Sequence, residues 1–186
     1  MIAATDFRKG TKILLRDEPH VVLDFKHNKM GRGGALVRAK LKNLVTGSSF
    51  EENFRSGEKF SDPQLERRDM QYLYVDDTLY NFMDQESFEQ VALNRDVLED
   101  VVGYLKEQEI YQMLYFDDKP IGVTAPLFIE LKVTETPPGV KGDTAQGGGN
   151  KPATLETGLV VQVPLFVNED DVLKIDTRDG SYIERV

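Results

Sequence analysis

The 186-residue sequence contains no cysteine, no tryptophan and only two histidines, His20 and His27. Without cysteine there is no disulfide, no thiolate metal site and no cysteine nucleophile. Two histidines are too few for a histidine-rich metal centre, so neither metal nor cofactor is expected. No stretch approaches the roughly 18 consecutive apolar residues of a membrane-spanning helix. Met1-Ile2-Ala3-Ala4-Thr5-Asp6 lacks a basic segment followed by an apolar one, so no signal peptide is expected. The expected location is the cytoplasm, without membrane contact. Signatures of catalysis are scarce too. There is no phosphate loop with its Lys-Ser/Thr pair and no dinucleotide fingerprint. Gly147-Gly148-Gly149-Asn150-Lys151-Pro152 has a phosphate loop's glycines but not that pair, and it opens no helix. Carboxylates abound, yet doublets such as Asp76-Asp77 and Asp117-Asp118 fall in turn-like sequence, where an acid is usually just solvated. Nothing points to a glycosidase-type pair of carboxylates.

What is present is charge, unevenly spread. The net charge is −9, yet residues 1 to 63 carry 12 Lys+Arg against 8 Asp+Glu, and residues 64 to 186 carry 11 against 24. One end tolerates a polyanion while the acidic remainder resists bulk nucleic acid, so a shape-selective polyanionic partner fits best. The basic end centres on Phe25 to Phe50, which holds Lys26, Lys29, Arg32, Arg38, Lys40 and Lys42 and no acid. Within it, Met30-Gly31-Arg32-Gly33-Gly34 reads as a turn, since glycine adopts positive φ without steric cost. Ala35 to Leu41 then alternates apolar and basic, as a strand with one face in a core. His20 to Phe25 reads as its partner. The result is a hairpin presenting Arg32 at a glycine-flanked tip. The plainer alternative is an ordinary surface turn. His27, beside the tip, is either a plain surface residue or a contact to a base or phosphate. The seven tyrosines can stack on bases or pack in cores, and Tyr182, near a hairpin tip, is the best candidate for stacking.

Elsewhere the chain reads as short strands between tight turns. Thr11 to Leu15, Ser49 to Phe54, Met70 to Val75, Leu79 to Met83, Ser87 to Leu93, Glu109 to Phe116, Pro120 to Val123 and Leu127 to Val133 are expected strands. So are Leu159 to Val167, Val172 to Asp176 and Ser181 to Arg185, the last two joined at Asp179-Gly180. Pro164 requires its strand to lie at a sheet edge or bulge. Residues 96 to 106 show a fourfold apolar spacing that predicts a weak helix, despite Gly103. The expected fold class is all-β, with three tandem small barrels at 1–63, 64–128 and 129–186. Closure of such barrels removes exposed strand edges.

Several segments, in order, carry a family resemblance: Lys9-Gly10; Gly31-Arg32-Gly33-Gly34 followed by Val37-Arg38-Ala39-Lys40-Leu41-Lys42-Asn43-Leu44; Phe54-Arg55-Ser56-Gly57-Glu58-Lys59; Gln71-Tyr72-Leu73-Tyr74; Pro138-Gly139-Val140-Lys141-Gly142-Asp143-Thr144; Lys151 to Gly158; Val163-Pro164-Leu165-Phe166; and Lys174 to Arg178. Over its whole length the sequence resembles the bacterial elongation factor P family. The resemblance implies an SH3-like (KOW-type) barrel followed by two oligonucleotide-binding-type barrels, in an elongated L shape like that of tRNA. It implies a monomeric, non-enzymatic factor. Such a factor binds the 70S ribosome beside peptidyl-tRNA or initiator tRNA and stimulates peptide-bond formation where consecutive prolines stall synthesis. Arg32, with Gly31, Gly33 and Gly34, takes the family's tip position at the tRNA CCA end. From their charge and placement, Lys29, Arg38, Lys40 and Lys42 are candidate contacts to backbone phosphates of the acceptor stem; the alternative is that the lysines near the tip face ribosomal RNA or are simply solvated. Gly142, Asp143 and Thr144 match the loop that approaches the small subunit and codon. The family's tip is commonly a β-lysylated lysine or a rhamnosylated arginine. Met30-Gly31-Arg32-Gly33 departs from the commoner Pro-Gly-Lys-Gly and excludes lysine chemistry at that position. Arg32 is then either rhamnosylated by a modifying enzyme or bare. Asn168-Glu169-Asp170-Asp171 is more acidic than the family's glycine-containing turn. Two other readings remain: a generic single-stranded RNA-binding protein built from the same barrels, and a paralogue with different translational duties.

Overall fold

The computed structural model describes residues 1–30, 34–139 and 149–186. The predicted tip, Gly31-Arg32-Gly33, and the predicted loop Gly142-Asp143-Thr144 both lie outside the described residues. The described chain is all-β, with curled, barrel-like sheets and only 3-10 turns for helix. It divides into two compact units. One is Met1–Arg67 with Leu114–Gly122; the other is Arg68–Met113 with Val123–Val186.

The first unit opens with β1 (Ile2–Ala3), β2 (Lys12–Leu15), β3 (Glu18–Met30), β4 (Gly34–Asn43), β5 (Ser49–Arg55) and β6 (Lys59–Phe60). Strands β2-β3-β4-β5 form one antiparallel sheet, and β1 pairs with β6. Alternation sets the facing of β4. Val37, Ala39 and Leu41 are fully buried, while Arg38 and Lys40 between them are exposed. Beneath them Phe7, Phe54 and Phe60 meet pairwise, with ring centroids 5.0 to 5.8 Å apart. The sheet curls until its ends meet. Arg16, just past β2, donates to both carboxylate oxygens of Glu52 on β5 at 2.8 and 2.9 Å. The Leu14 N–H reaches the Ser61 carbonyl at 2.8 Å.

A second sheet comprises β7 (Leu65–Asp76), β8 (Leu79–Asp84), β9 (Gln90–Asn94), β10 (Ile110–Phe116) and β11 (Lys119–Thr124), in the order β11-β10-β7-β8-β9. The expected helix at 96–106 is absent. Arg95–Leu98 and Val102–Tyr104 are separate 3-10 turns. The apolar spacing instead reflects burial of Leu98, Val101 and Leu105. The backbone groups that a helix would pair internally go to Tyr111. Its hydroxyl donates to the Tyr104 carbonyl at 2.6 Å and accepts from the Lys106 N–H at 2.8 Å. So short a segment cannot offset the cost of helix nucleation by itself.

The third sheet comprises β12 (Phe128–Glu135), β13 (Asn150–Leu155), β14 (Val160–Pro164), β15 (Val172–Asp176) and β16 (Ser181–Arg185), in the order β14-β13-β12-β15-β16. Its end strands β14 and β16 lie against each other, which nearly closes the sheet. Pro164 ends β14 at that edge, as its missing N–H requires. The acidic turn at 168–171 forms without glycine. Asp170 takes φ +68°, the Asp171 carboxylate accepts the Asn168 N–H at 2.8 Å, and Lys132 pairs with Asp170 at 2.7 Å.

Candidate nucleic-acid interface

Strands β3 and β4 build the basic hairpin, and their pairing runs from His20↔Asn43 to Met30↔Gly34. That pairing brings the backbones at Lys29 and Ala35 opposite each other. Gly34 has φ +84°, so the glycine predicted for a left-handed turn position occupies one. β5 keeps pace only as far as Leu36↔Arg55, so the last pairs, Lys29↔Ala35 and Met30↔Gly34, extend beyond it. A bulge at Leu23 shifts the register between Val22 and Asp24. Beyond it, Lys26 lies opposite Arg38 and Asp24 opposite Lys40. Arg38 and Lys40 share the outer face; Lys42 is half-buried at its far end. Of the sequence-predicted phosphate contacts, Arg38, Lys40 and Lys42 therefore lie on one strand. Lys29 takes its backbone place near the hairpin end.

The sequence reading missed the acids of the neighbouring strands. Glu51 on β5 stands opposite Lys40, and its carboxylate pairs diagonally with Arg38 at 2.5 Å. Asp24 pairs with Lys9 at 3.3 Å. That Lys9 hydrogen bond is the main cause holding the Asp24 carboxyl below the usual carboxylate range, with the Phe25 N–H and the charges of Lys9 and Lys26 assisting. Asp24, Phe25, Lys26, Arg38, Lys40 and Glu51 line a shallow pocket of about 230 Å³. The signal for Glu51 was the Glu51-Glu52 doublet, whose significance depends on strand register rather than local sequence. His27 is exposed, with its ring edge-on to Phe25 at 5.5 Å. The tyrosines mostly serve cores. Tyr72, Tyr111 and Tyr115 are buried, Tyr182 is half-buried, and the exposed one is Tyr74. Tyr182 is thus a weaker stacking platform than its place near a hairpin tip suggested.

The second predicted loop is known here by its ends. A side chain at Gly139 would collide with the Leu165 carbonyl, and one at Gly149 would meet the Leu165 side chain at 3.5 Å. Lys151, buried, donates to the Pro137 carbonyl at 2.7 Å. Gly139 and Gly149, which flank residues 140–148, therefore both lie against Leu165, and only glycine fits at 139. Among the described residues no group of acids and histidines could hold a metal ion. No helix of the described chain is long and apolar enough to cross a membrane.

Three family models match in tandem. They are the elongation factor P KOW-like domain at residues 3–60, the elongation factor P OB domain at 65–123, and the elongation factor P C-terminal domain at 123–185. The elongation factor P of Pelotomaculum thermopropionicum is 54% identical over all 186 residues, with both chains covered completely. That of a Thermoanaerobacter strain is 52% identical with the same coverage. Among solved structures, a translation initiation factor 5A from Methanococcus jannaschii aligns with a TM-score of 0.55 at 17% identity. That alignment covers 67% of this chain and 95% of the other, and it speaks to fold alone. The tandem models and the full-length identities establish that the chain belongs to the elongation factor P family.

Proposed function

We infer that this protein is a translation elongation factor that binds the ribosome beside peptidyl-tRNA and stimulates peptide-bond formation, relieving stalls at consecutive prolines. The observation that carries this reading is the full-length identity to elongation factor P, uninterrupted through all three family models. The factor is not itself an enzyme. It works in the cytoplasm as a monomer. Its parts are a KOW-type barrel at 1–63 and oligonucleotide-binding-type barrels at 64–128 and 129–186.

Arg32 is the working residue of the hairpin, with Gly31, Gly33 and Gly34 letting the backbone approach its target. Proline lacks an N–H and has a fixed φ, which narrows the geometries open to it. Peptide transfer depends on the mutual orientation of two reactants, and a misplacement of about 1 Å can cost roughly 10²-fold in rate. The Arg32 guanidinium offers a rigid fork of donors suited to phosphate oxygens. Set against the CCA end of peptidyl-tRNA, it restrains the reacting ester. Lys29, Arg38, Lys40 and Lys42 contact backbone phosphates, which fix register without reading sequence. Gly142, Asp143 and Thr144 approach the small subunit near the codon. Arg32 acts either bare or rhamnosylated by a dedicated enzyme, and peptide mass mapping of the native protein across Lys29 to Arg38 distinguishes the two.

The test is translation of a message encoding three consecutive prolines, with Arg32→Ala compared with the unaltered factor. Stall relief is expected to be lost while the circular dichroism and the melting temperature stay unchanged. Full-rate synthesis with the variant overturns the role of Arg32. Failure of the unaltered factor to relieve the stall overturns the whole reading.

A further inference from the structure

We propose that Glu51 is a displaceable internal counter-ion. It occupies in the free protein the place that an RNA phosphate takes on the outer face of β3, β4 and β5. The inference rests on the RNA-contacting reading of that hairpin and adds a residue to it. Three cations share the face. Arg38 lies between Lys26, directly opposite on β3, and Lys40, two residues along β4. The charge of Asp24 is engaged by Lys9. Among the described residues neither Lys26 nor Lys40 forms an ion pair, so Arg38 is the cation of the three that a carboxylate holds. A carboxylate and a phosphate present the same acceptor geometry to a guanidinium, and either satisfies its fork. The Arg38–Glu51 pair is also half in water, with side chains 57% and 47% exposed. Such a pair holds weakly and exchanges readily. A phosphate entering the pocket, flanked by Lys26 and Lys40, therefore displaces Glu51 from Arg38. Breaking the Arg38–Glu51 pair is the cost that the incoming phosphate has to offset. The arrangement tempers affinity for any passing polyanion, and other contacts must supply the rest. It suits a protein that has to ignore bulk RNA.

The experiment measures binding of the full chain to an unmodified tRNA transcript across a series of salt concentrations. Glu51→Gln keeps the shape and removes the charge. It is expected to tighten binding about two- to fivefold, the range an exposed ion pair spans. Salt weakens the Arg38–Glu51 pair itself, so the gain is expected to be largest at low salt and to shrink as salt rises. Asp62→Asn makes the same charge change at an exposed position outside this face and controls for net charge. In an Arg38→Ala background, Glu51→Gln is expected to gain no more than that control. A gain from Glu51→Gln no larger than from Asp62→Asn overturns the inference, as does a gain that survives Arg38→Ala. Stall relief separates this result from the broader reading. If Arg32→Ala loses relief while Glu51→Gln leaves tRNA binding untouched, the counter-ion idea falls and the translation-factor reading stands. If the unaltered factor relieves no stall, the broader reading falls by itself.

Discussion

Two hairpins of this chain share a plan and differ in purpose. β3–β4 and β7–β8 are both long antiparallel pairs, and each carries a register shift, at Leu23 in the first and Leu73 in the second. The first puts Lys26, Arg38 and Lys40 in water and buries small or aliphatic residues, Val37, Ala39 and Leu41. The second buries Tyr72 and Phe82, with Tyr111 of β10 edge-on to both at 6.5 and 6.2 Å. One hairpin spends its outward positions on charge. The other spends its inward positions on aromatic area. Substitutions on the outer face of the first should therefore change what the protein binds. Substitutions in the second should change whether it folds.

The largest effect tests the second half of that contrast. Phe82 is fully buried and packs on Tyr72 at 5.3 Å. Phe82→Ala should cost about 3 to 5 kcal/mol in denaturant unfolding. Arg38→Ala, which removes an exposed ion pair, should stay within about 1 kcal/mol of the parent. If the two costs are comparable, the division of labour between the hairpins is wrong.

Tyr111 sharpens the same point through pH. Burial pushes its hydroxyl up to about 12, against the opposing hydrogen bond from the Lys106 N–H. In the unfolded chain it titrates near 10. Between those values the unfolded chain has lost a proton that the folded chain keeps, so the folded state binds more protons. The contribution is complete below about pH 10 and is lost as pH rises towards 12. Tyr111→Phe should cost about 1 to 3 kcal/mol at neutral pH, because the Tyr104 carbonyl and the Lys106 N–H lose their buried partner. The variant should also show a shallower loss of stability above pH 10. Equal alkaline slopes in parent and variant would place the sensitive group elsewhere.

Local pattern made much of this legible. The alternation from Ala35 to Leu41 set the facing of β4, and Pro164 located a sheet edge from the loss of one N–H. The weak helix at 96–106 misled because fourfold apolar spacing records burial, and here the backbone partners came from the Tyr111 hydroxyl, outside the segment. The same limit applied at the basic hairpin. Lysines and arginines could be counted along one strand, but Glu51 meets Arg38 only through the register of β4 against β5. A charge tally over residues 25 to 50 stopped one residue short of the acid that matters. The tip and codon-loop assignments came from family resemblance, through Gly31-Arg32-Gly33 and Gly142-Asp143-Thr144.

The smallest effect probes the hairpin ends. Gly34 closes β3–β4 at φ +84°, while Asp77 in the turn of β7–β8 adopts φ +50° with a side chain attached. Among the described residues nothing lies within 4 Å of where a Gly34 Cβ would sit, so the expected cost of Gly34→Ala is the left-handed penalty. That penalty is about 1 to 2 kcal/mol. Asp77→Gly should show a smaller change, because relief of the same strain is offset by the greater freedom of glycine in the unfolded chain. The informative comparison is between stability and stall relief at Gly34. A variant still folded at the assay temperature should relieve stalls normally if the glycine serves only to turn the chain. If Gly34→Ala loses stall relief while remaining folded, the backbone at this position does more than turn. It then sets the direction in which Arg32 is presented, and the first hairpin depends on its end as the second depends on its core.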